Sequence, residues 1–349
     1  MFSTRSDIFL ESALVLAAGV ALLTLLLLGL IVALRWRRAH ELRRMRSFEK
    51  RWRPVLMAAS MGPVDGALPA LAGREQFAFL KLWNYLHESL HGEASQHLNA
   101  LARRLKCHEA ARRMLDARDR ATRLLAILTL GHLREDSARH ALRSAAATPD
   151  TVLSLLAARA LIQIDAAGGA ETLFPLVVSR RDWDVARLTR ILAPARDACR
   201  TLIAESIVRL GRPARMRTLE LAAALRLELP MRHLAQLIQP GEPPELIAAA
   251  LRLVRHPQHL PAMRALLGHA DWRVRSESVA GVARLGEAAD VRSLATLLQD
   301  EQWWVRYGAA QALVASPLLR PGELDDLCAS AGPEARGILS HVIAEGSHA

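Results

Sequence analysis

Cysteine is scarce, with three in 349 residues, Cys107, Cys199 and Cys328, all far apart. An odd, scattered set builds neither a disulfide framework nor a zinc cluster, and it points to a reducing compartment. Aromatic residues make up only 4% of the chain and strand-like alternation is rare, while Leu, Ala and Arg abound, so helices are expected throughout. Lysine is nearly missing too: of 46 basic residues only Lys50, Lys81 and Lys106 are lysine. Genome base composition alone can produce such an arginine excess, so it specifies no arginine chemistry. No glycine-rich phosphate loop, nucleophile elbow or Cys/His pair at catalytic spacing occurs, which leaves the common nucleotide and acyl-transfer chemistries without a motif. What is present in quantity is apolar residue, 51% of the chain, enough to exclude a disordered protein and to fill one to three domains.

The net charge is +11, and its distribution is uneven. Residues 35–53 carry +7, residues 101–135 carry +5, and residues 136–349 total only +2. Just before the first basic stretch, residues 13–34 run without a charge; as a helix they reach about 33 Å, the length of a bilayer core. A cleaved signal peptide fits less well, because Arg5 is outnumbered by Asp7 and Glu11 and no small-residue cleavage site precedes polar sequence. The Lys/Arg asymmetry predicts a single-pass protein of a bacterial inner membrane, residues 1–12 outside and everything after the span in the cytoplasm. Residues 35–60 then form a basic juxtamembrane helix. Its lipid-surface candidates are Arg35, Trp36, Arg37, Arg38, Arg43, Arg44, Arg46, Arg51, Trp52 and Arg53, facing anionic headgroups.

After a loop-like linker at 61–74, apolar residues recur at helical spacing. Residues 75–107 read as a helical pair that caps the remainder of the chain. Further on the chain repeats itself. Asp271-Trp272-Arg273-Val274-Arg275, followed by Val279-Ala280-Gly281-Val282, is echoed by Trp303-Trp304-Val305-Arg306 followed by Ala309-Ala310-Gln311-Ala312-Leu313, at a shift of 31. Met263, Leu266 and Leu267 match Leu294, Leu297 and Leu298 at the same shift, so the period covers two helices. Leu153–Leu161 repeats the template, as do Ile203–Gly211 and Leu124–Gly131 more loosely. The pattern breaks at Ala186 and Pro243-Pro244, so repeat boundaries between 180 and 250 stay open.

On these residues the chain resembles the HEAT-like repeats, specifically the short bacterial kind also seen in phycobilisome lyase-type proteins, over about residues 110–345. The resemblance implies an all-α fold, with residues 108–345 an α-solenoid of six or seven helical hairpins. It also implies that Arg275 and Arg306 tie neighbouring repeats together. The function it implies is a non-catalytic, membrane-tethered scaffold that recruits protein partners. By association of fold alone, that assembly is one for the envelope or exopolysaccharide, around a membrane glycosyltransferase. No cofactor is indicated.

Three kinds of residue compete with or refine that reading. His87-Glu88-Ser89-Leu90-His91 is an H-E-x-x-H string with His97 where a longer zinc-protease pattern has its third ligand, but Ala94 stands at that pattern's glycine; a zinc hydrolase is therefore an alternative, as is a cofactor lyase. A second basic patch, with Arg103, Arg104, Lys106, Arg112, Arg113, Arg118, Arg120 and Arg123, allows nucleic-acid binding, but acids are mixed in and no aromatics interleave for base stacking. The third kind is tryptophan at the turn before the second helix of a repeat. Trp183, Trp272 and Trp304, with Arg275 and Arg306, are the candidates for protein contact; consecutive Trp303 and Trp304 cannot both enter one narrow hairpin core.

Overall fold

Phe48, Trp52, Leu56 and Ala59 fall on one stripe of a helix, and in the computed structural model of the chain all four are buried. The structure describes residues 3–239, 241–317, 319 and 322–346, with side chains described from residue 26 on apart from those of 37–39, 41 and 42. The described residues are helical, with no strand among them, and the chain divides into two compact units, Met1–Thr129 and Leu130–Ala349.

The first unit contains helices α1 (Ser3–Met61), α2 (Gln76–Ser89), α3 (Glu93–Arg104) and α4 (Cys107–Met114), and most of α5 (Arg120–His132). The buried stripe of α1 packs within this unit against α3, and the Trp52 ring meets Phe79 of α2 edge-on with centroids 4.8 Å apart. Trp83 donates from Nε1 to the Leu98 carbonyl (3.0 Å), and Asn84 donates to Leu80 O and Thr129 Oγ1, each at 2.8 Å. Arg104 pins the 61–74 stretch by donating to the carbonyls of Val64 and Gly66.

Two expectations are corrected here. Among the described residues no helix is long and apolar enough to cross a membrane. The single-pass inner-membrane placement, N-terminus out, is therefore not supported; the side chains of residues 13–25, on which the rest of that expectation falls, lie outside those described. Trp52 is likewise no lipid-surface residue, because it is fully buried. Trp36 is 69% exposed, Arg51 pairs with Glu75 at 2.8 Å, and Arg35, Arg43, Arg44, Arg46 and Arg53 are exposed. The side chains of Arg37 and Arg38 lie outside the described residues.

The second unit holds α6 (Arg139–Ala146), α7 (Thr151–Ile164), α8 (Ala166–Ser179), α9 (Val185–Leu192), α10 (Arg196–Ser206), α11 (Arg212–Ala224) and α12 (Met231–Leu237). It continues with α13 (Pro244–Leu251), α14 (Leu260–Leu266), α15 (Trp272–Leu285), α16 (Asp290–Thr296), α17 (Trp303–Val314), α18 (Glu323–Ser330) and α19 (Pro333–Gly346). Taken in pairs these are seven hairpins among the described residues, and the second helix of each packs on the second helix of the next, from α7 through α9, α11, α13, α15 and α17 to α19. This is how a solenoid of repeats is built: each unit covers the apolar face of its neighbour. Val274, Val305, Leu313 and Leu339 are fully buried in the stack.

Local chemistry sets the hairpin boundaries. Asp150, Asp165, Asp184 and Asp271 cap the N-termini of α7, α8, α9 and α15, each side chain accepting a backbone N–H from the first turn. Pro243 and Pro244, which break the sequence template, sit at the start of α13, where a missing N–H costs nothing. The loose template match at Ile203–Gly211 is corrected: it covers the end of α10, and the second helix of that hairpin is α11. Gly168 and Gly169 do not break a helix but open α8. A Cβ on Gly169 would stand 2.7 Å from the Leu161 carbonyl oxygen, so glycine is what lets α8 approach α7 this closely.

Candidate functional site

Arginine clamps join the hairpins. Arg275 donates from Nε and Nη2 to the two oxygens of Asp300 (2.7 and 2.8 Å) and from Nη1 to the carbonyls of His269 and Ala270, both at 2.9 Å. Arg306 repeats half of that geometry one unit on, its Nη1 donating to the carbonyls of Asp300 (2.7 Å) and Glu301 (3.1 Å). The turns before the helices repeat as well: His269 Nδ1 accepts the Asp271 N–H, and Asp300 Oδ1, at the same shift of 31, accepts the Gln302 N–H. Arg264 grips Asp290 with 2.6 and 2.8 Å bonds, and Arg139 reaches Asp165 at 2.8 Å. Asp290 is held below the usual carboxyl range mainly by the Arg264 hydrogen bonds.

Arg275 and Trp183, expected as contact residues, are instead buried in the stack, and Arg306 is partly covered. Arg275 is buried and committed to Asp300, and Arg306 is half-buried on carbonyls. Trp183 is fully buried beneath Arg180, whose guanidinium lies 5.0 Å above the ring, and its Nε1 donates to Ser154 Oγ at 3.0 Å. Trp272 is half-buried under the Arg273 guanidinium, 5.7 Å from the ring.

Trp304 behaves differently. It is 58% exposed and packs edge-on against Trp303, itself 43% exposed, with centroids 4.8 Å apart. Trp303 stacks on Tyr307 at 4.8 Å and 12°. The Tyr307 hydroxyl donates to Glu345 Oε2 at 2.7 Å, which lifts the phenol above its ordinary value, and His341 Nε2 lies 3.2 Å from the same carboxylate. An aromatic cluster from one turn of α17 is thereby fixed in place by α19 and left on the surface.

A second feature escapes a reading of the sequence. Between α7 and α9 runs a trough of about 480 Å³, with Leu155, Leu156, Ile162 and Ile191 along its floor and Arg159, Arg187 and Arg190 among its lining. Its one sequence signal is the pair Arg187 and Arg190, three apart on one short amphipathic helix.

The zinc reading is corrected by the backbone. Helix α2 ends at Ser89 and Leu90 is extended, so His91 leaves the helix face that His87 occupies. His87 instead bonds Asn99 Oδ1 through Nε2 at 3.0 Å. Among the described residues no group of three or more His, Cys, Asp and Glu side chains could hold a metal ion. The 103–123 patch is largely exposed, with Arg104 used to hold the linker.

Stacked two-helix units, with an N-capping Asp before the second helix in three of them and an arginine bridging to the next unit, define a helical-repeat solenoid. In agreement, residues 232–314 match the family described as HEAT repeats. The comparison with curated proteins finds no match. Among solved structures, one described as an engineered protein is 17% identical over 82% of this chain and 82% of its own, with a TM-score of 0.28. The complex of CpcE and CpcF of phycocyanin lyase from Nostoc sp. PCC7120 is 16% identical over 80% of this chain and 97% of its own, with a TM-score of 0.24. At such scores neither likeness carries an argument about activity.

Proposed function

We propose that the chain is a non-catalytic scaffold that recruits a protein partner through the aromatic face of α17. The observation that carries this reading is the exposure of Trp304 and Trp303 beside the Tyr307 ring, which bonds to α19. Tryptophan and tyrosine supply large contact area at low entropic cost and dominate binding energy where they sit in a pre-organised patch. Stacked repeats offer extended surfaces suited to such contacts. The C-terminal hairpins, not the basic N-terminal stretch, are then the recruiting end.

Affinity capture from the source cells, run side by side with the wild-type chain and Trp304→Ala, tests the reading. Trp304 is exposed, so the variant keeps the wild-type melting curve; specific partners fall about tenfold or more, as expected for loss of a contact worth roughly 1.4 kcal/mol or above. Identical partner sets from the two proteins overturn the proposal.

A further inference from the structure

Most of the bridging arginines in the second unit have a carboxylate or carbonyl to hold: Arg139, Arg180, Arg264 and Arg275 all do. Arg187 and Arg190 differ. They stand exposed at the trough between α7 and α9, neither joins an ion pair among the described residues, and no Asp or Glu lines the trough. Below them the surface is apolar, with Leu155 and Ile162 buried and Leu156 and Ile191 half-covered. On α7 the lining runs from Val152 to Gln163, about 16 Å of helix, and on the other side from Arg187 to Ile191 of α9 and on to Pro194 in the turn after it.

That geometry favours one kind of occupant. A trough of this length between two packed helices accepts a third helix, which presents apolar residues at i, i+3, i+4 and i+7. Two guanidiniums three residues apart on α9, with no balancing acid, call for carboxylates on the flank of that helix. We propose that the trough between α7 and α9 binds an acidic amphipathic helix of a protein partner. Its apolar side chains rest on Leu155, Leu156 and Ile191, and its carboxylates meet Arg187 and Arg190. This site is separate from the aromatic face of α17 and stands without it.

The test uses the full chain and a fluorescein-labelled synthetic helix with Leu on one face and Glu along its flanks, read by fluorescence anisotropy. Saturable binding that weakens with salt is expected. Arg187→Glu combined with Arg190→Glu should weaken it about tenfold or more, while Trp304→Ala leaves it unchanged. Lys in place of Glu, or Ser in place of Leu, should abolish binding to the wild type, and the Lys peptide should regain affinity for the charge-reversed variant. Arg187→Gln with Arg190→Gln, checked by melting, gives the same direction if the reversal disturbs folding. No binding, equal binding of the Lys peptide, or insensitivity to both arginine variants overturns the proposal. So does loss on Trp304→Ala, or displacement by dodecanoate at a lower concentration than unlabelled peptide, which would assign the trough to a small amphiphile.

Discussion

Arg275 and Asp300 meet in a two-pronged ion pair, Nε to Oδ2 at 2.7 Å and Nη2 to Oδ1 at 2.8 Å, with both side chains more than nine-tenths buried. It joins the start of α15 to the turn that leads into α17, where Asp300 also accepts the Gln302 N–H, so it fixes the spacing between two hairpins and the entry into the second helix together. Leaving either member alone strands a buried charge. Asp300→Ala and Arg275→Ala should each lower unfolding free energy by about 3 kcal/mol in urea melts, and the double variant by far less than the sum.

Acid should loosen the stack in a defined window. Asp182 is held at about 2, chiefly by the Arg180 hydrogen bond, and Asp165 and Asp290 are held low by hydrogen bonds from Arg139 and Arg264. For Asp300, burial by itself raises the pKa, but bonds from Arg275 and the Gln302 N–H outweigh it and the net shift is downward. Carboxyls depressed in the folded state contribute stability that is complete above the unfolded pKa of about 4 and is lost as pH falls through the folded values. Melting temperature should therefore be flat from neutral pH to about 5 and drop between about 4 and 2. In Asp182→Asn the part of the fall due to this carboxyl disappears.

Gly169→Ala tests how tightly α7 and α8 are packed. The new methyl meets backbone, Leu161 O at 2.7 Å and Leu161 C at 2.9 Å, which cannot swing aside. A loss of about 1–3 kcal/mol is expected by denaturant titration. Gly268→Ala, where a Cβ meets nothing within 4 Å, is the control and should be near neutral.

The three thiols should separate cleanly by reactivity. Burial pushes Cys107 up to about 12 and Cys199 up to about 11, so neither forms thiolate at neutral pH, whereas Cys328 is only half-buried. Native protein titrated with a chromogenic disulfide should release about one equivalent quickly and the other two only on unfolding. Fast release of all three would contradict the packing around α4 and α10.

How legible each feature is in the sequence depends on what makes it. The shift of 31 between Val274 and Val305 and between Arg275 and Arg306 is readable because buried valines and clamp arginines tolerate few substitutes. Helices α9 to α13 are harder to place, since a proline pair at the start of α13 replaces the usual residues and the end of α10 mimics the template. Trp52 misleads because its neighbours in sequence are exposed arginines, and only the helical stripe with Phe48, Leu56 and Ala59 reveals its inward face. His87 and His91 share a helix only if the helix outlasts Ser89, which local spacing does not decide. The trough is invisible in sequence because its two walls lie on different helices.

Arg306 has one further consequence. Its counterpart Arg275 finds Asp300 twenty-five residues on, but the same step from Arg306 lands on Ala331, so the series of two-pronged clamps stops there. Among the described residues α19 packs on α17 and bonds to it through Tyr307 and Glu345, while Arg336 ties α19 to the end of α18 through the carbonyls of Cys328, Ala329 and Ala331. In a linear array whose units are coupled only to their neighbours, the weakest junction opens first. Amides of α19 should thus exchange with solvent ahead of those of α13 and α15, making the C-terminal hairpin a hinged end leaf. Because α19 supports the aromatic cluster, a partner seated on Trp304 would slow that exchange, and its affinity would include the work of holding the leaf shut.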